Sequence, residues 1–453
     1  MSYPPSLNYF LDRVSGFSTS TFSIFPQNST SASPNQIVRF SMPNNSLLNL
    51  KSFAFRFQGT TAGTGAIARL PNDITQLIER VEITSSGVSL ASGANFYNVL
   101  SQAMTALKGD HCDPVLGHKS MVRAKSYVDG AAKAGNETYT GNSALFCIDK
   151  WHGFLGSSGP GILDSSSLGE LVISLTLADN NVLTSSVGTT LPGTAAGTDF
   201  DVDGNGVSTY SLSNMYATIE AMSLSSSGYD EMIQGIISER GFLEIGFKQY
   251  FSFQDTVSQQ MRWSVATQSL DKIIMVHRDT EYNQIKAPRR VAGYKVYAAS
   301  NTLGGICDYD AGGVLGYNKE LYKNAASNFV EPTPAAGTTL GFQVQINGAN
   351  IPNFRATTED MYSITRNAVG MHMAQSEWGL DTMRKHYSVH AIRLNLPGSE
   401  ESRIISGLNT QSTNLSGFYN IFNIGATSPV VNLFAEVSST LRIGAGGQLE
   451  VIN

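Results

Sequence analysis

Apolar and polar residues alternate at period two in many short stretches of this chain, and one such arrangement occurs twice. In residues 342–371, Phe342, Val344 and Ile346 alternate with Gln343 and Gln345, as in a half-buried strand. Asn347-Gly348 comes next, and both residues tolerate the positive φ of a two-residue hairpin turn. A return strand is expected to end at Ile351-Pro352. Thr357 and Asp360 then have capping-box spacing, and Met361, Ile364, Ala368 and Met371 share one helix face. Residues 81–107 repeat the pattern. Val81 and Ile83 alternate with Glu82 and Thr84, Ser86-Gly87 turns, Val88 and Leu90 return, and Tyr97, Leu100, Met104 and Leu107 keep the helical spacing. Lys108 and Gly109 close that helix. Two like units in one chain predict two domains of one type.

The remaining alternation predicts further strands. In the first half these are 37–42, 47–57, 144–148, 169–177 and 216–224. In the second half they are 242–253, 263–266, 272–277, 387–396 and 430–437, with a closing hairpin over 441–452. Asn214-Met215-Tyr216-Ala217 and Asn432-Leu433-Phe434-Ala435 are an echo between the last strands of the two halves. Gly- and Ser-flanked residues 225–241, with a short helix over 229–237, mark the boundary. The expected organisation is an N-terminal arm (1–36), a first β-domain (37–227), a linker helix (228–241) and a second β-domain (242–453). Each half offers about eight strands, which suits two β-sandwiches better than one.

Composition narrows the class. Charged residues are only 15% of 453, the net charge is -6, and glycine is abundant at 43 residues. That balance fits an all-β protein with many turns and uncharged loops rather than a disordered chain. The arm carries Tyr3, Tyr9, Phe10, Phe17, Phe22 and Phe25 but only Asp12 and Arg13 as charges, so it reads as a docking segment and not as a nucleic-acid arm. Nothing resembles a signal peptide or a membrane span. Cys112, Cys147 and Cys307 lie far apart and predict no disulfide framework.

Taken in order, several segments resemble double jelly-roll major capsid proteins, the type found in virophages, polinton-like viruses, adenoviruses and tailless phages. They are 151–156 (Trp151-His152-Gly153-Phe154-Leu155-Gly156), 162–175, 210–224 running into the 229–237 helix, 267–272 and 345–354. The likeness covers about 37–453. It implies an all-β fold of two tandem eight-stranded jelly rolls with short helices and long loops. It implies a non-enzymatic shell protein of the virion, forming homotrimeric pseudo-hexameric capsomers of an icosahedral capsid. Its partners would be neighbouring capsomers, penton and minor capsid proteins, with an internal membrane left open and no sequence-specific nucleic-acid binding. The Gly- and Thr-containing loops 109–142, 184–208 and 303–318 are expected to meet around the trimer axis or to rise from it, since uncharged loop stretches pack without desolvating charge. The alternative is a carbohydrate-binding β-sandwich adhesin or spike.

Candidate chemistry is sparse. Asp199, Asp201, Asp203 and Gly204 match the start of a calcium loop, but Tyr210 stands where a bidentate acid is needed, so a solvated acidic loop is the better reading. His111-Cys112 and the pair His386 and His390 lack further zinc ligands at finger-like or HExxH spacing. Lys286, Arg289 and Arg290 form a small basic knot suited to an acidic neighbour. There is no nucleophile elbow or phosphate-binding loop, and Gly444, Gly446 and Gly447 read as a hairpin turn. No catalytic, cofactor or metal residue is assigned.

Overall fold

The computed structural model describes residues 17–108, 138–139, 146–187, 208–278, 308–309, 315–316, 329–369, 380, 383, 388–397 and 405–453, apart from scattered positions within those ranges. Most of residues 109–142, 184–208 and 303–318, together with Asp199, Asp201, Asp203, His111, Cys112, His386, Lys286, Arg289 and Arg290, lie outside the described residues.

The first half contains β1 (Phe17–Ile24), β2 (Ile37–Ser41), β3 (Leu47–Gly63), β4 (Ile78–Ser85) and β5 (Val88–Ala91), then helix α1 (Tyr97–Lys108). After it come β6 (Phe146–Ile148), the short helix α2 (Phe154–Ser157), β7 (Ile162–Asp164), β8 (Leu171–Leu177) and β9 (Ser208–Leu224). Helix α3 (Gly228–Arg240) leads into the second half. That half comprises β10 (Phe242–Thr256), β11 (Gln260–Trp263), β12 (Leu270–Arg278), β13 (Gly341–Ile346) and β14 (Ala349–Ala356). Helix α4 (Thr358–Val369), β15 (Val389–Arg393), β16 (Gly417–Phe422), β17 (Val430–Gly444) and β18 (Leu449–Ile452) complete it.

Two antiparallel sheets form each half. In the first, one sheet runs β1-β9-β3 with β6 and β7 both on β3, and the other runs β2-β8-β4-β5. In the second, β10-β17-β12-β15 (with β18 on β17) faces β11-β16-β13-β14. With β6 and β7 counted as one interrupted strand, both halves have the same order, 1-8-3-6 in one sheet and 2-7-4-5 in the other. This is the strand order of a jelly roll, and the chain contains it twice.

The alternation explains the cores. In β8, Leu171, Ile173, Leu175 and Leu177 are buried while Val172, Ser174 and Thr176 are half-buried. Phe53, Phe55 and Phe57 share the inner face of β3, where Phe55 and Phe57 lie 5.0 Å apart and Phe57 meets Phe146 at 5.5 Å. The hairpins turn where expected, with positive φ at Ser86 and Gly87 and at Asn347 and Gly348. At α4 the backbone N–H of Thr357 donates to Asp360 Oδ2 (2.9 Å) and that of Asp360 to Thr357 Oγ1 (3.3 Å), a reciprocal cap. The buried face of α4 is Thr358, Met361, Thr365 and Ala368; Ile364 is only half-buried, because Thr365 turns in to accept the N–H of Ala391 at 3.0 Å.

Two expectations need correction. The arm expected over 1–36 loses Phe17–Ile24, which is the first strand of the first jelly roll and pairs with β9 from Phe17↔Leu224 to Ile24↔Ala217. Ser18, Thr19, Ser20 and Thr21 hide the apolar period there, and an edge strand is held mainly by backbone bonds. The return strand β14 runs on past Pro352 to Ala356, which an edge position allows because it needs no inward N–H at proline.

Gly417 lies opposite Trp263 across β16 and β11, and the indole covers it. A Cβ built there would sit 2.5–2.8 Å from the ring atoms of a fully buried tryptophan. Gly417→Ala should therefore destabilise the second barrel by about 1–3 kcal/mol through overpacking, read as a lower denaturant midpoint at unchanged slope. An unchanged midpoint would mean that the indole moves aside freely.

Candidate assembly surfaces

The two barrels are not beads on a string. Ile245 and Phe247 of β10 and Leu441 and Ile443 of β17 belong to the hydrophobic core of the first barrel. In return, Val99, Leu100, Ala103, Met104 and Leu107 of α1 belong to the core of the second. Phe247 meets Phe154 of α2 edge-on, with ring centroids 4.9 Å apart. The outer edge of β10 bonds to the first barrel: the Gly159 N–H donates to Gly246 O (2.8 Å), the Gly246 N–H to Gly159 O (3.2 Å), and the Lys248 N–H to Ser157 Oγ (2.8 Å). Burying each barrel's apolar surface in the other makes the pair one body, since apolar contact of this kind contributes about 25 cal/mol per Å² removed from water.

Charges line this seam and the strand behind it. Lys248 Nζ donates to Asp271 Oδ2 at 2.5 Å and to Ser438 Oγ at 3.0 Å. Asp271 also accepts from Ser438 Oγ (2.5 Å) and Ser269 Oγ (2.7 Å). Beside it, Lys272 Nζ lies 3.4 Å from Glu436 Oε1, whose other oxygen accepts from Tyr250 OH at 3.1 Å. β12 is buried along its whole length yet contains Asp271, Lys272, His277 and Arg278. Each of the four has a polar partner, Arg278 donating to Asn432 Oδ1 at 3.3 Å.

His277 and His390 face each other inside the second barrel, ring centroids 4.6 Å apart and both fully buried. His277 Nδ1 is 3.0 Å from Ser388 Oγ, and Nε2 is 2.7 Å from Tyr419 OH, which also lies 3.4 Å from His390 Nδ1. Burial holds the His277 imidazolium pKa down to about 3; burial and the neighbouring His277 hold that of His390 low as well. Burial likewise pushes the Tyr419 phenol up, with a smaller push from Glu331. A serine and a histidine within bonding reach are two parts of a nucleophilic site, but these are sealed in a core that admits no substrate.

Of the sequence-derived candidates, Tyr210 and His390 are among the described residues, and they lie in different barrels. Tyr210 is buried in the first barrel, its hydroxyl donating to Ala178 O at 2.5 Å. His390 pairs with His277, a partner far away in sequence that spacing alone does not reveal. Among the described residues no three of His, Cys, Asp and Glu gather as a metal site, and no helix is long and apolar enough to cross a membrane.

No protein-family model matches the sequence, and no curated protein matches it. Solved structures do match its fold. The PBCV-1 virus capsid is similar over 99% of this chain and 100% of its own, at TM-score 0.56 and 13% identity. The Faustovirus major capsid protein is similar over 98% of this chain and 93% of its own, at TM-score 0.51 and 11% identity. The Sputnik virophage structure covers 100% of this chain and 92% of its own, at TM-score 0.50 and 11% identity. At these identities the likeness is one of fold: this chain is a double jelly roll, from end to end of its described residues.

Proposed function

We propose that this double jelly roll is the major capsid protein of an icosahedral virus, a structural subunit with no catalytic task. The observation that carries the reading is the seam. Two barrels of one strand order complete each other's cores, which makes them a single two-barrel brick. The fold-level likeness to the coats of PBCV-1, Faustovirus and Sputnik supports the same reading. In it, three chains set six barrels around an axis as a capsomer, and capsomers tile the shell beside penton and minor capsid proteins. The chain then divides into a first jelly roll starting at β1, the α3 linker and a second jelly roll from β10.

Light scattering and negative-stain microscopy of the purified full chain test this. Trimers that form hexagonal arrays or closed shells are the expected result. Monomers at high concentration that bind glycans on an array would overturn it in favour of an adhesin.

A further inference from the structure

β10 is an edge strand whose outer side is closed near one end and open toward the other. In the closed part the Gly246 and Lys248 amides point away from β17 and bond to Gly159 and Ser157 of the first barrel. Main-chain groups alternate sides along a strand, so Ser252 and Gln254 also turn an N–H and a C=O outward. At Val257 the N–H points the other way, to Pro429 O (2.8 Å), which fixes the same parity from the far end. Among the described residues nothing bonds the outward main-chain groups of Ser252 and Gln254.

This free stretch borders a cleft of about 450 Å³ at the seam. The second barrel lines the cleft with β10 and residues 264–266, and the first barrel lines it with Arg80 of β4 and Asn95 just before α1. Phe251 and Phe253 are half-buried there and Val265 is buried, so an apolar recess lies beside the open main chain. Arg80, its side chain 39% exposed, supplies a cation; Glu82 Oε2 is 3.8 Å from it, beyond hydrogen-bond distance. A free strand edge is a template for another strand. Here a second barrel adds side chains of its own to the cleft, which can hold an added strand from two sides.

We infer that this cleft takes an extended peptide segment of a partner protein, added to β10 as a further strand. The segment pairs its main chain with Ser252 and Gln254, rests one apolar side chain on Phe251 and Phe253, and sets a carboxylate against Arg80. Two open rungs call for a segment of about three residues, since successive bonded residues on an edge lie about 7 Å apart. A small free acid would meet Arg80 and the aromatic recess but leave the rungs unused, so the rungs select a peptide. The cleft is built from one chain, so the inference goes beyond the capsid reading and does not need it.

Panning a random hexapeptide display library on the purified full chain tests this, with the recovered sequences resynthesised as labelled peptides. Sequences that alternate apolar and polar residues and carry an acid are the expected result. Ser252→Pro removes one outward N–H and no ladder bond, which an edge strand tolerates, and should abolish binding. Ser252→Ala keeps the main chain and should bind as wild type. Arg80→Met should weaken binding about tenfold and erase the preference for the acid. If Ser252→Pro melts early, hydrogen exchange on the wild-type chain decides. Ser252 and Gln254 amides that slow when peptide is added support the pairing, and amides that do not slow refute it. A library that yields no binder, or peptides that bind a stably folded Ser252→Pro as well as wild type, overturns the inference. So does a Ser252→Pro chain that melts as wild type but no longer assembles, because the cleft is then a contact between copies of this chain. Assembly of the wild-type chain tests the capsid reading separately from all of these.

Discussion

Acidification from pH 7 to pH 5 is expected to weaken the second barrel by about 2 kcal/mol through His277, and His390, also held neutral by burial, adds to the loss. Unfolded, each imidazole takes up a proton near its ordinary value of 6.5. Folded, burial keeps both neutral, His277 down to about 3. The unfolded chain thus binds more protons as pH falls below 6.5, and stability declines until the folded-state pKa is reached, with the full contribution present above 6.5. The hydrogen bond to Ser388 offsets part of the burial at His277 without reversing it. Ser388 and Tyr419 are neutral, Phe342 stacks edge-on against His390 at 4.5 Å, and Arg278, next along β12, adds positive charge. Carboxylates elsewhere also titrate toward pH 5, so the measurement is a difference. Denaturant unfolding of wild type and His277→Gln at pH 7 and pH 5 should show the variant losing about 2 kcal/mol less than wild type. Equal losses would show that the histidines reach water or find a carboxylate in the fold.

Removing the lysine at the seam should have an effect of the same order. The Lys248 side chain is 23% exposed and that of Asp271 only 2%, so the lysine reaches solvent and the carboxylate does not. Lys248→Met leaves Asp271 charged and buried, with the Ser269 and Ser438 hydroxyls as its donors. Stranding one member of a buried pair costs about 3–5 kcal/mol, and two remaining hydroxyl donors place this case at about 3. Lys248→Met with Asp271→Leu removes the stranded charge and should recover part of that loss. Gly407 limits the recovery, since it packs directly on Asp271 and Ser269 and leaves a branched side chain little room. A single-variant loss below about 1 kcal/mol would class the pair with solvent-exposed salt bridges.

Legibility in the sequence tracked the apolar period. The hairpins at Ser86-Gly87 and Asn347-Gly348, the helices after them, and the helix near 229–237 were readable because local turn and cap chemistry agrees there with the alternation. β1 was not, because an edge strand of serines and threonines shows no apolar face, and only its register against β9 reveals it. The ionisable residues of β12 gave no warning either. Asp271, Lys272, His277 and Arg278 look like an ordinary exposed mixture until Lys248, Glu436, Tyr419 and Asn432 arrive from strands distant in sequence.

Residue order alone points to an all-β chain that is duplicated, since both readings rest on periods within a few tens of residues. How the halves meet is settled only by the packed fold. β1 and β10 each sit first in barrels of one strand order, yet Phe247 of β10 is covered and Phe22 of β1 is exposed. That difference comes from which barrel lies next to each strand, a long-range fact about burial that no local pattern encodes.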